Sequence, residues 1–164
     1  MSAELSELIE ALAASPAKIQ SLLNNASDER LHRRGAEGEF SCVESVCHLR
    51  DIEVEGYATR IKRILVEDEP RLLDIDGGRL AVERDYHKQD VREALRAFSL
   101  ARKENLVLIN GPGANQLHRA GTLEGLGLIT LERLLAMMRD HDEGHISEIE
   151  QILRQQSGLA HTVT

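Results

Sequence analysis

The sequence predicts an all-α protein, a four-helix bundle with one long crossover connection. Leucine occurs 24 times in 164 residues, against four aromatic residues, and this balance favours helices over sheet. Apolar residues recur at helical spacing in four long segments, and a connection of more than 20 residues separates the second segment from the third. A connection of that length allows a topology other than simple up and down.

The chain is expected to form a single domain over residues 1–164, because no internal repeat or linker divides it. A chain of this length can bury roughly 70% of the surface that it exposes when unfolded, so it needs no disulfide or metal merely to fold. Residues 158–164 are expected to be a frayed tail. Cys42 and Cys47 lie five residues apart and are expected to be reduced thiols.

The first helical segment is predicted from Ser2 to about Asn24. Its apolar residues keep helical spacing on both sides of Pro16. A proline lacks the amide hydrogen that a helix interior uses, so we expect a kink or a break at this position.

The second helical segment is predicted from Ser41 to about Val66. Ser41 can cap its first turn, and Glu44 stands three residues later as the partner of a capping box. The long connection that follows, residues 67–90, contains Pro70 and the pair Gly77-Gly78. Connections of this length in compact domains usually carry function or cross from one end of a bundle to the other.

The third helical segment starts at a possible capping box formed by Asp90 and Glu93, and the sequence NGPG at 110–113 ends it. The fourth is predicted from about Thr130 to the pair Ser157-Gly158. Between them, GTLEGLG at 121–127 matches no phosphate-binding or dinucleotide-binding motif. This stretch is expected to be a flexible approach to the fourth helix.

Charge and hydropathy exclude two classes of partner. The formal net charge is −8, and no segment gathers lysine and arginine into a stripe, so nucleic acid is not expected to bind. No apolar run approaches the ~20 residues that a membrane span requires. The acidic N-terminus is unlike a signal peptide, and a cytoplasmic protein is therefore expected.

Two histidines occupy the buried face of the fourth segment. His141 and His145 are four residues apart, and side chains at that spacing lie on one face with Cβ atoms about 5–6 Å apart. They can reach one metal ion if a neighbouring helix supplies a further ligand, for which His48 on the second segment is the candidate. Three imidazoles with open positions for water are typical of a catalytic metal site.

Other interpretations of the histidines stay open at this point. A buried pair can also be a hydrogen-bonded part of the core, and spacing alone does not decide. The metalloprotease motif H-E-x-x-H fits poorly because Asp142 replaces its glutamate. A carboxylate-bridged two-metal site fits worse, since no glutamate stands three residues before any of the three histidines. The remaining histidines are expected to be solvated: His32, His87, His118 and His161.

A His-Leu pair with an acidic residue after it occurs at His48 in CVESVCHLRDIE, and HDEGH followed by ISEIEQIL occurs 93 residues later. With these motifs the chain resembles the DinB-like family of four-helix-bundle metal-binding proteins, from about Leu5 to Leu153. Phe40-Ser41 stands where that family commonly has Trp-Ser. The resemblance implies a divalent metal, usually zinc, nickel or iron, held by His48, His141 and His145, and a bundle that often pairs into a homodimer.

A metal on three imidazoles can lower the pKa of a bound water toward 7, which serves hydrolysis, or it can bind a thiolate, which serves thiol transfer. The family includes transferases and isomerases that use low-molecular-weight thiols. The sequence therefore predicts a metal-dependent hydrolase or a thiol-dependent transferase acting on a small molecule. The alternative is a non-catalytic bundle that binds a ligand or partner and holds a structural or vestigial metal.

Three carboxylates are candidates for roles near the metal. Asp51 lies three residues after His48 and Glu148 three after His145, so both can face the same pocket as candidate catalytic residues. The alternative for each, which the sequence slightly favours, is a solvated or capping carboxylate. Asp142, beside His141, is the candidate to orient a ligand from outside the coordination shell.

Overall fold

Four long helical stretches make up most of the fold, as the sequence predicts. The computed structural model describes residues 3–35, 38–111 and 113–159, with side chains from Leu5 to Gln156. The predicted tail lies outside the described residues from 160 onward, and its residues 158 and 159 belong to the last helix. The helices are α1 (Ala3–Leu23), α2 (Asp28–His32), α3 (Cys42–Asp51), α4 (Ala58–Val66), α5 (Gly77–Glu83), α6 (Val91–Asn110) and α7 (Leu131–Leu159).

The bundle consists of α1, the continuous stretch from α3 to α4, α6 and α7. Helix α1 packs against α6 and α7, and α3 packs against the same two helices. This arrangement places α1 and α3 at opposite corners. Ile64 near the end of α4 and Val91 at the start of α6 pack in different hydrophobic clusters, so the two helices run parallel and the long crossover returns the chain to the other end of the bundle. No helix of the described residues is long and apolar enough to cross a membrane.

Pro16 lies inside α1, which runs without a break from Ala3 to Leu23, so a break at this position is wrong. Since proline has no amide hydrogen, the carbonyl of Leu12, four residues earlier, has no helical donor. Arg102 of α6 donates from Nη1 to this carbonyl at 2.8 Å. A neighbouring helix thus replaces the missing bond.

Helix α3 begins at the predicted capping box. Ser41 Oγ accepts from the amide of Glu44 at 3.2 Å, and Glu44 Oε2 accepts from the amide of Ser41 at 2.8 Å. Arg34 donates to the same carboxylate, and together these bonds lower the pKa of Glu44 although burial alone would raise it. The start of the helix that carries His48 is therefore fixed by several bonds.

A π-helical segment, Ile52–Tyr57, joins α3 to α4 and was not predicted. A π turn takes in one more residue than an α turn, so it rotates every later side chain around the helix axis. Such turns often occur at functional sites.

A small sheet replaces the expected flexible approach to the last helix, so that expectation is wrong. Strands β2 (Ala120–Leu123) and β3 (Gly127–Thr130) form a hairpin whose turn contains Gly125 at φ +77°. The crossover contributes β1 (Arg71–Leu72), which pairs with β2 in parallel. The crossover also contains α5 and a 3-10 turn at Tyr86–Lys88, so it is folded along much of its length.

The buried residues form two hydrophobic clusters with polar side chains between them. On α6, Phe98 belongs to one cluster and Ile109 to the other; on α7, Ile149 belongs to the cluster of Phe98 and Met138 to the cluster of Ile109. Polar side chains lie between Phe98 and Ile109 on α6 and between Met138 and Ile149 on α7. We call these side chains the polar layer, together with the polar side chains of α3 and the π-helical segment that contact them. Its members are His48, Glu53, Arg102, Asn105, His141, Asp142 and His145.

Replacing the cap of the helix that carries His48 should destabilise the protein. Ser41→Ala removes the acceptor for the amide of Glu44, and such losses typically cost about 1 kcal/mol. Urea unfolding should show a lower midpoint with an unchanged slope. Ser21→Ala, at an exposed position within α1, is the control and should leave stability unchanged or slightly higher. An equal midpoint in the two variants would contradict the capping role.

Candidate metal centre

The structure brings His48, His141 and His145 together in the polar layer. Helix α3 supplies His48, and α7 supplies the other two one turn apart. One ring nitrogen from each lies within 4.8 Å of the others, and the Nε2 atoms of His48 and His141 are 3.0 Å apart. The three imidazoles thus converge on one point.

The donor set fits a divalent ion. Two nitrogens that bind zinc at about 2.0–2.1 Å lie about 3.0–3.4 Å from each other at angles between 90° and 110°. The distance between His48 and His141 agrees, although a hydrogen bond between neutral imidazoles has a similar length. His48 Nδ1 and His145 Nδ1 are buried with no hydrogen-bond partner among the described residues. No cysteine, aspartate or glutamate of the described residues joins the group.

Burial keeps the imidazoles of His48 and His141 in the form that binds metal. Desolvation lowers the pKa of His48 to about 4 and that of His141 to about 3, and the charge that His145 would carry adds to both shifts. A neutral imidazole has a free lone pair at pH 7, and metal binding needs that form.

Gly77, the first residue of α5, lies against the imidazole of His48. A Cβ at this position would overlap His48 Cε1 and lie 2.5 Å from Nδ1. Only glycine leaves room for the ring, so the crossover positions His48 by direct contact. The sequence shows Gly77-Gly78 as a turn feature and gives no sign of this contact with a residue 29 positions earlier.

Asp51 accepts hydrogen bonds from three side chains. Arg50 Nε donates to Oδ1 at 2.7 Å, while Arg84 Nη1 and the Tyr86 hydroxyl donate to Oδ2 at 2.8 and 2.6 Å. Although burial alone would raise the pKa of Asp51, these hydrogen bonds hold it below its usual value. Two of the donors belong to the crossover, so Asp51 ties that segment to α3.

Glu148 lies on the open side of the histidine cluster. Its Oε2 is 2.8 Å from His145 Nδ1, at ion-pair distance but without the alignment of a hydrogen bond, and its side chain is 59% exposed. It lines a cavity of 320 Å³ together with His145, Phe40 and Ile152. That volume falls within the range of small-molecule sites.

Asp142 points away from the cluster into the core, where it meets Arg102. Both side chains are 1% exposed, and the guanidinium contacts both oxygens of Asp142, with Nη1 to Oδ2 at 2.6 Å and Nη2 to Oδ1 at 3.0 Å. On its other edge Arg102 contacts both oxygens of Glu53, which also accepts from Asn105. Sequence reasoning identified Asp142 and missed Arg102 and Glu53.

Two aromatic rings border the cluster. The Phe40 ring centroid is 5.6 Å from that of His48, and Tyr57 of the π-helical segment is 6.0 Å from His141. Of the other histidines, His32 and His87 pack edge to face at 5.6 Å and His118 is exposed, while His161 lies outside the described residues. None of His32, His87 and His118 contributes to the cluster.

Comparisons with known proteins identify two similar proteins. A Halalkalibacterium halodurans protein named "Putative metal-dependent hydrolase BH0277" is 22% identical over 145 residues, which cover 88% of this chain and 84% of that protein. The solved structure of YfiT from Bacillus subtilis is described as "a probable metal-dependent hydrolase with an unusual four-helix bundle topology". The YfiT structure has a TM-score of 0.87 to this chain at 23% sequence identity. The match covers 96% of this chain and 90% of the YfiT chain, and it confirms the prediction of a four-helix bundle.

The family relationship rests on a match along most of the chain. The sequence pattern of the DinB superfamily matches residues 11–149, a range that includes His48, His141 and His145. The protein therefore belongs to the DinB superfamily.

Proposed function

We propose that this protein is a metal-dependent hydrolase of a small molecule, with His48, His141 and His145 as ligands of one divalent ion. The convergence of three imidazoles beside a cavity carries the proposal. The names of the two similar proteins support it. A divalent ion in this position supplies Lewis acidity and lowers the pKa of a water that it binds.

The cavity next to His145 is the proposed substrate site. Phe40 and Ile152 offer apolar surface, and Gln151 and Glu148 offer polar groups at the same wall. Sites for small molecules commonly combine apolar walls with a few polar groups that fix orientation. The volume of 320 Å³ suits a molecule of modest size.

Glu148 is the carboxylate that we assign to proton transfer or to holding the His145 ring. It is 2.8 Å from His145 Nδ1 and lines the cavity, so it can accept a proton at either place. We assign Asp51 a positioning role instead. A carboxylate whose pKa is lowered by three donors is a weak base, and those donors hold the crossover that contacts His48.

The non-catalytic alternative predicts a closed coordination shell. A structural zinc site is held by four protein ligands, whereas the described residues bring three histidines together. The open position and the adjoining cavity favour catalysis. Thiol-dependent transfer needs the same ligands and differs in the second reactant, so an assay can separate it from hydrolysis.

The functional test uses protein loaded in turn with zinc, nickel and iron. Each form is assayed on a panel of small esters, amides and phosphoesters, with and without a low-molecular-weight thiol. Hydrolysis that needs the metal but no thiol would support the proposal, and turnover that needs the thiol would favour transfer. Homodimer formation and a cytoplasmic location stay predictions.

Removing one ligand should abolish tight metal binding. The parent is expected to bind about one zinc per chain, and His141→Ala should lower the affinity by more than about a hundredfold, since even residues outside the coordination shell are worth 10–100-fold. Elemental analysis and competition with a chelator measure both quantities. His118→Ala removes an exposed histidine outside the cluster and should bind like the parent. Equal zinc content in all three proteins would end the proposal.

Acid should destabilise the metal-free protein through His48 and His141. In the unfolded chain both titrate near 6.5, whereas in the fold their pKa values are about 4 and about 3. Their contribution to stability is therefore complete above about pH 6.5 and is lost as the pH falls toward 4, because the unfolded state then binds more protons. Urea unfolding across this range should give a steeper loss for the parent than for His48→Asn/His141→Asn. Matching slopes would show that the imidazoles are not buried in neutral form.

Filling the space beside His48 should weaken the site without touching a ligand. Gly77→Ala forces the imidazole to move, and we expect zinc affinity to fall by about 10–100-fold, as for other changes outside the coordination shell. Gly78→Ala is the matched control, since its Cβ would meet only Asp76 Oδ1 at 3.4 Å. Isothermal titration with zinc compares the two. If both bind alike, Gly77 does not position His48.

A further inference from the structure

We propose that Arg102 is the positioning residue that sets the distance between the two halves of the histidine cluster. The inference rests on the proposed metal site and concerns how the fold holds it. One half is His48 on α3, and the other is the pair His141 and His145 on α7. Arg102 belongs to α6 and contacts none of the three histidines through a hydrogen bond in the described residues.

Arg102 uses all five of its N–H groups on other parts of the chain. Nε and Nη2 donate to the two oxygens of Glu53 at 2.8 and 2.9 Å. Nη1 and Nη2 donate to Asp142 at 2.6 and 3.0 Å, and the remaining Nη1 hydrogen goes to the Leu12 carbonyl at 2.8 Å. With its side chain 1% exposed and no donor left over, Arg102 cannot itself bind a substrate.

The two carboxylates that Arg102 holds are each linked to a ligand. Asp142 is the neighbour of His141 on α7, and Glu53 follows His48 by five residues on the same continuous helix. A guanidinium that contacts two carboxylates through paired bonds fixes both distance and orientation, because its donors form a rigid plane. Arg102 therefore joins the helix of His48 to the helix of the histidine pair.

Glu53 is the second residue of the π-helical segment. On an ideal α-helix it would stand about 140° around the axis from His48, so the two side chains leave the helix on different sides. His48 reaches the histidine cluster, and Glu53 reaches Arg102 of α6.

Stability alone is a weak reason for such an arrangement. A buried ion-pair triad can often be replaced by neutral residues of similar volume with no loss of stability, because desolvation of the charges offsets their attraction. A metal site has a stricter need, since its ligand distances tolerate deviations of only about 0.2 Å. The distance of 3.0 Å between the Nε2 atoms of His48 and His141 is the quantity that Arg102 would control.

The test removes the link while keeping the core neutral. The triple variant Arg102→Met/Glu53→Gln/Asp142→Asn leaves no unpaired buried charge, so it should still unfold cooperatively. Arg102→Lys keeps the charge but lacks the planar group that contacts both carboxylates. Arg119→Met is the matched control, since Arg119 donates to the carbonyls of Ile64 and Glu67 near the sheet.

Titration with Co²⁺ gives an affinity and an absorption spectrum that reports the geometry of the bound ion. We expect the triple variant and Arg102→Lys to bind about 10–100-fold more weakly than the parent, with a changed spectrum. Arg119→Met should bind within about twofold of the parent, whatever its loss of stability.

Parent-like affinity and spectrum in a folded triple variant would overturn the inference. If the triple variant does not unfold cooperatively, Arg102→Lys decides by the same measure. A parent protein that binds neither Co²⁺ nor Zn²⁺ overturns the proposed metal site and the inference with it. A parent that binds metal beside unaffected variants overturns the inference alone.

Discussion

The buried guanidinium of Arg102 is the interaction on which the polar centre of this bundle depends. Glu53 and Asp142 would be costly to bury as unpaired carboxylates, and the positive charge between them offsets that cost. The same side chain satisfies the Leu12 carbonyl, which lacks a helical donor because of Pro16. Without Arg102 the Leu12 carbonyl would lack a hydrogen-bond donor, and without this carbonyl one N–H of Arg102 would lack an acceptor. Each of the two groups therefore satisfies the other.

The polar layer also explains how one small core can both fold and hold reactive groups. The hydrophobic clusters on either side supply apolar burial, which is the main favourable contribution to folding. They also surround the imidazoles with low-dielectric material, and this burial keeps His48 and His141 neutral. Beside His145 and Glu148 the layer opens to a cavity. The apolar side chains that stabilise the fold and the histidines proposed to hold the metal therefore lie in different layers of the same bundle.

Features with local causes could be predicted from the sequence, and features with distant causes could not. The helices, the cap at Ser41 and the histidine cluster follow from periodicity and spacing. The pairing of β1 with β2 joins Arg71 to Thr122, which lies far along the chain. Arg102 stands at a core position, four residues after Phe98, where a charged residue is not expected. One trace of the π turn is present: an α-helical stripe from Ile52 would continue at position 55 or 56, where Glu55 and Gly56 stand, and the apolar Tyr57 comes one residue later.

Asp51 and Glu148 show why spacing alone does not assign a role. Each stands three residues after a histidine of the cluster, and the sequence offers no reason to separate them. In the fold, Asp51 is surrounded by Arg50, Arg84 and Tyr86, while Glu148 faces the cavity. The contacts of Asp51 anchor the crossover, and the crossover places Gly77 against His48. We infer that the first carboxylate acts on the site by shaping its surroundings, because its own acceptors are occupied, and that the second is the one available to take up a proton.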